Sequence, residues 1–456
     1  MEDFTMNAEL KIREVIEKSV SEIIQNIQKG LGKQSFSQIV EKTTEIVHQL
    51  GTALIEELIT EMDELYNKER NRKVIQMRNH KSRKMITQIG EINLQRRLYF
   101  DKQRKQYFFA VDELLDIEKH SRIEKGLKRQ LIANATLTSY GKASELSGHK
   151  VSRQTVHNIV KKLPTENVKV CSKGYKSIDK IYIEADEDHI HLNTGKSAEV
   201  KLVYVHEGTR DVCKGRTELI NSKYFVSTKS SDDIWEQVFD YVYNQYQVSN
   251  AEIHISGDGA SWIKEGLNYF PKAKYHLDKF HVYKSITDVS GPDKAMRRSV
   301  IHSIASKDFN TIRSLYSARG QSINSVQGRK SVANGLFYLE NNFDEIDLTK
   351  RYSCAAEGHV SHVLSARLSS RPMGWSILGA EKIAKLRAYY FSDGKFSDIA
   401  LEKRTQNDSY PKGRKYVHIA KKFSDNYGGI PTAHVVGIDG ITNGLSVLLR
   451  SVIRSR

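Results

Sequence analysis

At 456 residues and 52.1 kDa, with 39% hydrophobic and 28% charged residues, the chain is long enough for two to four domains around at least one sizeable core. No run approaches the ~18 apolar residues of a membrane span, and the acidic, polar start MEDFTMNAEL is no secretory signal, so a cytoplasmic protein without a membrane partner is expected. Lys and Arg number 71 against 55 acids, a formal charge of +16, which favours a polyanionic partner: nucleic acid first, an anionic membrane surface second. The three cysteines, Cys171, Cys213 and Cys354, form no CxxC pair, which excludes a cysteine-based zinc finger and a disulfide framework.

Residues 1–75 read as a helical region. From Ser35 to Tyr66, Phe36, Val40, Val47, Leu50, Leu54, Leu58 and Leu65 recur at three-, four- and seven-residue spacings, which predicts one long helix with Ser35 as its cap. That helix serves either as the core-facing member of a bundle or as a dimer-forming helix. Residues 76–120 follow as a basic β-hairpin region. Between Asn67 and Gln106, thirteen Lys or Arg face three acids. IGEINLQRRLYF and QYFFAVDELL alternate as the two arms, with a basic turn at Asp101 to Lys105. The charge density, interleaved with Tyr99, Phe100, Tyr107 and Phe108, makes Arg96, Arg97, Arg104 and Lys105 candidate phosphate contacts rather than a merely solvated face.

Residues 121–166 hold two short helical patterns, SYGKASELSG and VSRQTVHNIVKKL, separated at Gly148. This is the form of a helix-turn-helix. Ser152 would cap the second helix, with Val151, Val156 and Ile159 or Val160 inward and Arg153, Gln154, His157 and Asn158 free to reach base edges.

After Pro164 an α/β pattern begins, with a core expected over residues 177–288 and 352–392. IYIEADEDHIHLN, Ile181 to Asn193, alternates as a strand with Ile181, Ile183 and Ala185 on one face and Tyr182, Glu184 and Asp186 on the other. Acids crowded at a strand end repel one another unless a cation balances them. EVKLVYVHEG and KYFVST continue an antiparallel meander, SDDIWEQVFDYVYNQY is a helix capped near Ser231, and AEIHISGDGASWI is a fourth strand running into Asp258 between two glycines. AKYHLDKFHVYKSI is a fifth strand that ends at Asp278; His281 shares a face with it if a helix starts there. Residues 289–351 read as an α-helical insertion. A further helix then carries Glu357, which Ala355, Ala356, Val360, Val363 and Leu364 place close to the core. Residues 393–456 form a basic, irregular tail.

The order of these elements is that of a ribonuclease H-like mixed-sheet core, with Asp186, Asp258 and Glu357 converging at one end of the sheet. Three carboxylates in that arrangement hold two divalent cations for an in-line phosphodiester displacement, and oxygen ligands select Mg2+ or Mn2+ over zinc. Strand register alone leaves Glu184, Glu187 and Asp188 as alternatives to Asp186. His189 and His191, with His276, His281, His359 and His362, suggest a zinc hydrolase less well, because no HExxH or comparable spacing supports it.

The blocks IEADEDH, GDGASWI, LDKFHVYKS and CAAEGHVSHVLSARLSSRPMGWSILGAEKIAKLR resemble the core of bacterial insertion-sequence transposases of the ISLre type, relatives of the Mutator-like DDE superfamily, over nearly the whole chain. The resemblance implies that Asp186, Asp258 and Glu357 are the DDE triad and metal ligands, and that Asp278 and His281 match an accessory DxxH signature. It further implies that the N-terminal region binds terminal inverted repeats, and that two metal ions support strand cleavage and transfer. Synapsis of two DNA ends implies a homo-oligomer. A structure-specific nuclease on the same core, or a DNA-binding regulator that no longer cuts, are the alternatives.

Overall fold

The computed structural model describes residues 2–30, 35–170, 174–214, 216–348 and 354–402; Cys171 and most of the basic tail lie outside them. The described residues divide into two compact units, 2–134, 140–159 and 400–402 in the first and 135–139 and 160–399 in the second. Among them, no helix is long and apolar enough to cross a membrane.

In the first unit, α1 (Glu2–Gly30) packs on α2 (Phe36–Glu69) through Ile12, Ile16 and Leu54. α2 begins where Ser35 and Gln38 form a capping box, satisfying two N–H groups the first turn would leave orphaned. A three-stranded antiparallel sheet follows, β1 (Ile75–Ile86), β2 (Glu91–Asp101) and β3 (Gln106–Phe109), in the order β1-β2-β3. The expected hairpin is thus its second half, and its last arm ends early as α3 (Ala110–Leu114) begins. Ile92 and Leu94 pack with Ile59 of α2, Met85 of β1 and Val111 of α3. α4 (Lys125–Leu137), α5 (Tyr140–Leu146) and α6 (Arg153–Lys162) come next. The chain turns between α5 and α6 at Gly148, whose φ of +68° suits a residue without a Cβ, and the Ser152 hydroxyl accepts from the Thr155 N–H at 3.2 Å to start α6.

The second unit is a mixed α/β domain. After a two-residue strand β4 (Lys176–Ser177) come β5 (Lys180–His191) and β6 (Ser197–His206), then an exposed hairpin of β7 (Thr209–Cys213) and β8 (Arg216–Leu219), then β9 (Lys223–Ser227). α7 (Ser231–Gln245), capped one residue before the expected Ser231, leads through β10 (Tyr246–Gln247) to β11 (Glu252–Gly257). Short helices α8 (Ser261–Lys264) and α9 (Gly266–Tyr269) precede β12 (Lys274–Leu277). The main sheet runs β12-β11-β5-β6-β9. β11 is parallel to β5 and to β12, while β6 is antiparallel to both β5 and β9.

One face of this sheet, with Ile181, Ile183, Val203, Val205 and Ile255, buries Trp235, Val238 and Val242 of α7. Fully removing such side chains from water contributes roughly 1.5–3 kcal/mol each, so this face anchors β5 firmly. Beyond β12, α10 (Lys279–Ser290), α11 (Lys294–Ala305), α12 (Phe309–Ser322) and α13 (Val326–Asn342) pack around Ile286, Val300, Ile312, Tyr316 and Leu339, so the helices begin ten residues before the helical insertion expected from residue 289. α14 (Ala356–Val360) runs into one π-helical turn at Ser361–Ser365, then α15 (Ala366–Leu368) and α16 (Ile377–Phe391).

Candidate functional site

Because β5 alternates, the residues opposite its apolar face are Tyr182, Glu184, Asp186 and Asp188, and the three acids are all buried. Their partners tell them apart. Glu184 accepts from the Tyr204 hydroxyl, from the Ala355 N–H at 2.8 Å and from the Cys354 thiol at 3.4 Å, with His206 Nε2 at 3.3 Å. Burial pushes its carboxyl up, but these donors outweigh burial and hold it below its ordinary range. The Ser369 hydroxyl donates to both oxygens of Asp188, at 3.0 and 2.9 Å. Glu187, on the other face, accepts from the Trp262 indole at 2.5 Å.

Asp186 differs. It accepts from the adjacent Glu187 N–H at 2.8 Å and otherwise faces ionisable groups, with His281 Nε2 4.0 Å from its Oδ2. Burial pushes its pKa up to about 6, and the charges of Asp258 and Glu357 push in the same direction. A carboxylate desolvated and surrounded by like charge is the arrangement a divalent cation relieves.

Asp258 stands just past β11. Gly257 is required there because a Cβ would come within 2.9 Å of the Ala185 carbonyl and 2.7 Å of Ile263 Cδ1. Gly259 takes a φ of +98°, and the Ala260 N–H donates to Asp258 Oδ1 at 2.9 Å. One strand over, Asp278 follows β12 and caps α10, accepting from the Phe280 N–H at 3.0 Å. A helix does start there, and His281 Nε2 lies 3.7 Å from Asp278 Oδ2. Burial raises the Asp278 pKa. The Nε2 of His281 is itself buried, with no hydrogen-bond partner among the described residues.

Glu357 arrives on α14. Ala356, Val360, Val363 and Leu364 are buried as expected, but Ala355 and Glu357 are exposed, so Glu357 stands at the surface rather than in the core. Ligand atoms of Asp186, His281 and Glu357 lie within 4.8 Å of one another. The donor set therefore fits a divalent cation: two carboxylates, one uncommitted imidazole nitrogen, and Asp258 near enough to act on the charge of Asp186.

Glu187, His189 and Glu199 also approach within 4.8 Å, on the opposite face of β5. The remaining histidines do not join either group. His359 Nδ1 pairs with the Tyr224 hydroxyl at 2.9 Å, and His276 Nε2 with His254 Nδ1 at 2.9 Å.

In the first unit the sequence-selected residues separate. Arg96 follows Ile92 and Leu94 on the inward face of β2, where it is buried, ion-paired with Asp112 and seated 4.0 Å from the Phe109 ring centroid. Arg97 donates from its backbone and guanidinium to Asp63 of α2, at 3.1 and 3.0 Å. Both guanidinium groups are committed inside the unit, which corrects the expectation that they face a phosphate. Arg104 and Lys105 are exposed in the β2–β3 turn, shaped by Asp101 Oδ1 accepting from the Gln103 and Arg104 N–H groups. Arg78, Lys81, Lys84 and Lys102 are exposed as well. On α6, Arg153, Gln154 and Asn158 are exposed and His157 is half-buried, while Val151 and Val156 point inward. The Gln154 amide donates to Asn158 Oδ1 at 3.0 Å, and the His157 ring meets Tyr140 edge-on at 5.3 Å.

The model of an uncharacterised protein family, UPF0236, matches residues 30–405. A UPF0236 protein of Caldanaerobacter subterraneus subsp. tengcongensis, whose name carries eleven locus labels, is 34% identical over 379 residues, covering 81% of each chain. Another from the same organism, with four locus labels, is 33% identical over 387 residues, covering 83% of this chain and 82% of its own. A UPF0236 protein of Streptococcus gallolyticus, named for its place in the vanSb 3′ region, is 28% identical over 242 residues, covering 50% of this chain and 53% of its own. By the extent of the family match and the identity of these relatives, the chain belongs to the uncharacterised protein family UPF0236.

Proposed function

We propose that this chain is a DDE transposase of the ISLre type, which binds the terminal inverted repeats of its element and cuts and rejoins DNA there. The observation that carries this reading is the meeting of Asp186 of β5 and Glu357 of α14 with His281, with Asp258, at the end of β11, near enough to act on the charge of Asp186. The sheet order, with three antiparallel strands continued by two parallel ones, supports a ribonuclease H-like core. The excess of 71 basic over 55 acidic side chains suits a DNA substrate. Relatives that carry several locus labels in one genome suit a sequence that multiplies within its host.

Two divalent cations of the magnesium or manganese kind, held by Asp186, Asp258 and Glu357, would activate the attacking oxygen and steady the leaving one. In cleavage, a water oxygen forms the new bond to phosphorus and the bond to the 3′ oxygen breaks, leaving a 3′-hydroxyl. In transfer, that hydroxyl attacks a target phosphodiester in the same way. His281 is placed beside Asp186 and Asp278 to donate to, or orient, the oxygens gathered there. Glu184 fixes the approach of α14 by accepting the Ala355 N–H. In the first unit, α5 and α6 act as a helix-turn-helix presenting Arg153, Gln154, His157 and Asn158 to base edges, with Arg104, Lys105 and their basic neighbours on phosphates. The exposed Val20, Ile24, Phe36, Val40 and Val47 of α1 and α2 offer a second copy of the chain an apolar face.

The test is a comparison of wild type with Glu357→Gln and Asp186→Asn on DNA carrying the repeats that flank the gene. Both variants should bind the ends as wild type does and leave them uncut. A variant that still cuts removes its residue from the reaction, and wild-type cutting indifferent to the repeats points to a structure-specific nuclease.

A further inference from the structure

Beside the acids the second unit holds a cavity of about 310 Å³, lined by Asp258 at the end of β11, by α10, which carries His281, and by α13. Lys284, Ser285, Gly335 and Tyr338 line it, with the exposed Asn334 at its rim. Gly335 is necessary to it: a Cβ there would meet Val289 Cγ2 at 2.5 Å, so the two helices approach closely while the polar side chains line the space above. The Tyr338 hydroxyl is buried and has no hydrogen-bond partner among the described residues. Burial and the charges of Asp258, Asp278 and Glu345 raise its pKa, so it stays a neutral donor. A buried hydroxyl left unpaired is unfavourable, and a ligand that accepts from it removes the defect.

We propose that this cavity receives one nucleobase of the DNA, swung out of the stack next to the phosphodiester being cut; the inference rests on the transposase reading of the same site. Three features favour a base over a phosphate. The wall offers hydrogen-bonding side chains and one lysine rather than a cluster of cations, and Asp258 and Asp288 repel an unescorted anion. The Asn334 carboxamide pairs a donor with an acceptor in the fork that reads a base edge. The volume lies at the lower end of the range of small-ligand sites, enough for a single flat heterocycle. Swinging one nucleotide out of the stack costs a few kcal/mol, which the contacts in the cavity would offset. The helical insertion thereby acquires a role: it lines the cavity.

The test uses the full chain with repeat-end duplexes held uncut in calcium, each carrying 2-aminopurine at one position across the cut. Wild type should raise the emission several-fold at one position and leave the others near their duplex level. Asn334→Trp, at an exposed residue on the rim, should abolish that rise, and Tyr338→Phe, which keeps the shape, should reduce it. In magnesium, Asn334→Trp should cut intact ends at least tenfold more slowly yet cut at the wild-type rate when that position is abasic. If the ends are bound and cut but no position brightens, or the abasic end restores nothing, the cavity holds no base while the transposase reading stands. If the ends are neither bound nor cut, both fall together.

Discussion

Glu184 is the acid whose removal tests the site's architecture rather than its chemistry. Its carboxylate is shared by the Tyr204 hydroxyl, the Ala355 N–H and His206, so it ties β5 and β6 to the start of the helix that bears Glu357. Glu184→Gln keeps the volume but turns one oxygen into a donor facing donors. Hydrogen bonds to a buried charge contribute about 1.5–3 kcal/mol each, so losing one and weakening another costs roughly 3 kcal/mol. With a urea m-value of about 3 kcal/mol/M for a unit this size, the midpoint falls by about 1 M. All three tryptophans, Trp235, Trp262 and Trp375, lie in the second unit, so indole emission follows its unfolding alone. End binding should be unchanged and cleavage greatly slowed, since α14 loses its anchor. A midpoint within about 0.2 M of wild type, with cleavage intact, would refute the tie.

Asp186 gives a prediction of opposite sign. Its folded pKa of about 6 lies above its ordinary 3.8, so folding takes up protons between those values. The penalty is absent below pH 3.8, grows as pH rises to 6 and is complete above it, about 3 kcal/mol at pH 7. Asp186→Asn should therefore stabilise the metal-free second unit at pH 7 by up to about 3 kcal/mol, a gain that disappears by pH 4, in urea titrations followed by indole emission. Magnesium should stabilise wild type and leave Asp186→Asn unmoved. In the first unit, Arg96→Ala removes a buried guanidinium from Asp112, which keeps its ion pair with Arg83, and should cost about 1.5–3 kcal/mol in melting experiments that follow that unit by circular dichroism. Arg104→Ala or Lys105→Ala should leave melting unchanged and lower the slope of log affinity against log salt by about 1 each, seen in DNA titrations over a salt series.

The order of the main-sheet strands, the long capped helix and the helical insertion could be read from the sequence, because each buries one regular face. Other elements gave no such pattern. β1 is exposed through the middle of its length, so its Asn79 to Lys84 run reads as charge rather than strand. β7 is exposed throughout and β8 at its start, so no buried alternation marks them as strands. The charge of Arg96 suggests a phosphate contact, whereas its alternation with Ile92 and Leu94 places it inward, where it lies. The distinction between Asp186 and its neighbours was invisible locally, since the donors that occupy Glu184 and Asp188 come from residues 20 to 181 positions away. The cavity wall on α10 and α13 likewise has no local signature.

The most direct measurement is cleavage of a plasmid carrying the element's two ends, in magnesium, by wild type and Asp258→Ala side by side. The account predicts cutting at the repeat boundaries by wild type alone, with both proteins bound to the ends. Equal cutting by Asp258→Ala would contradict the assignment of these acids, and binding without any cutting by wild type would make the protein a DNA-binding regulator.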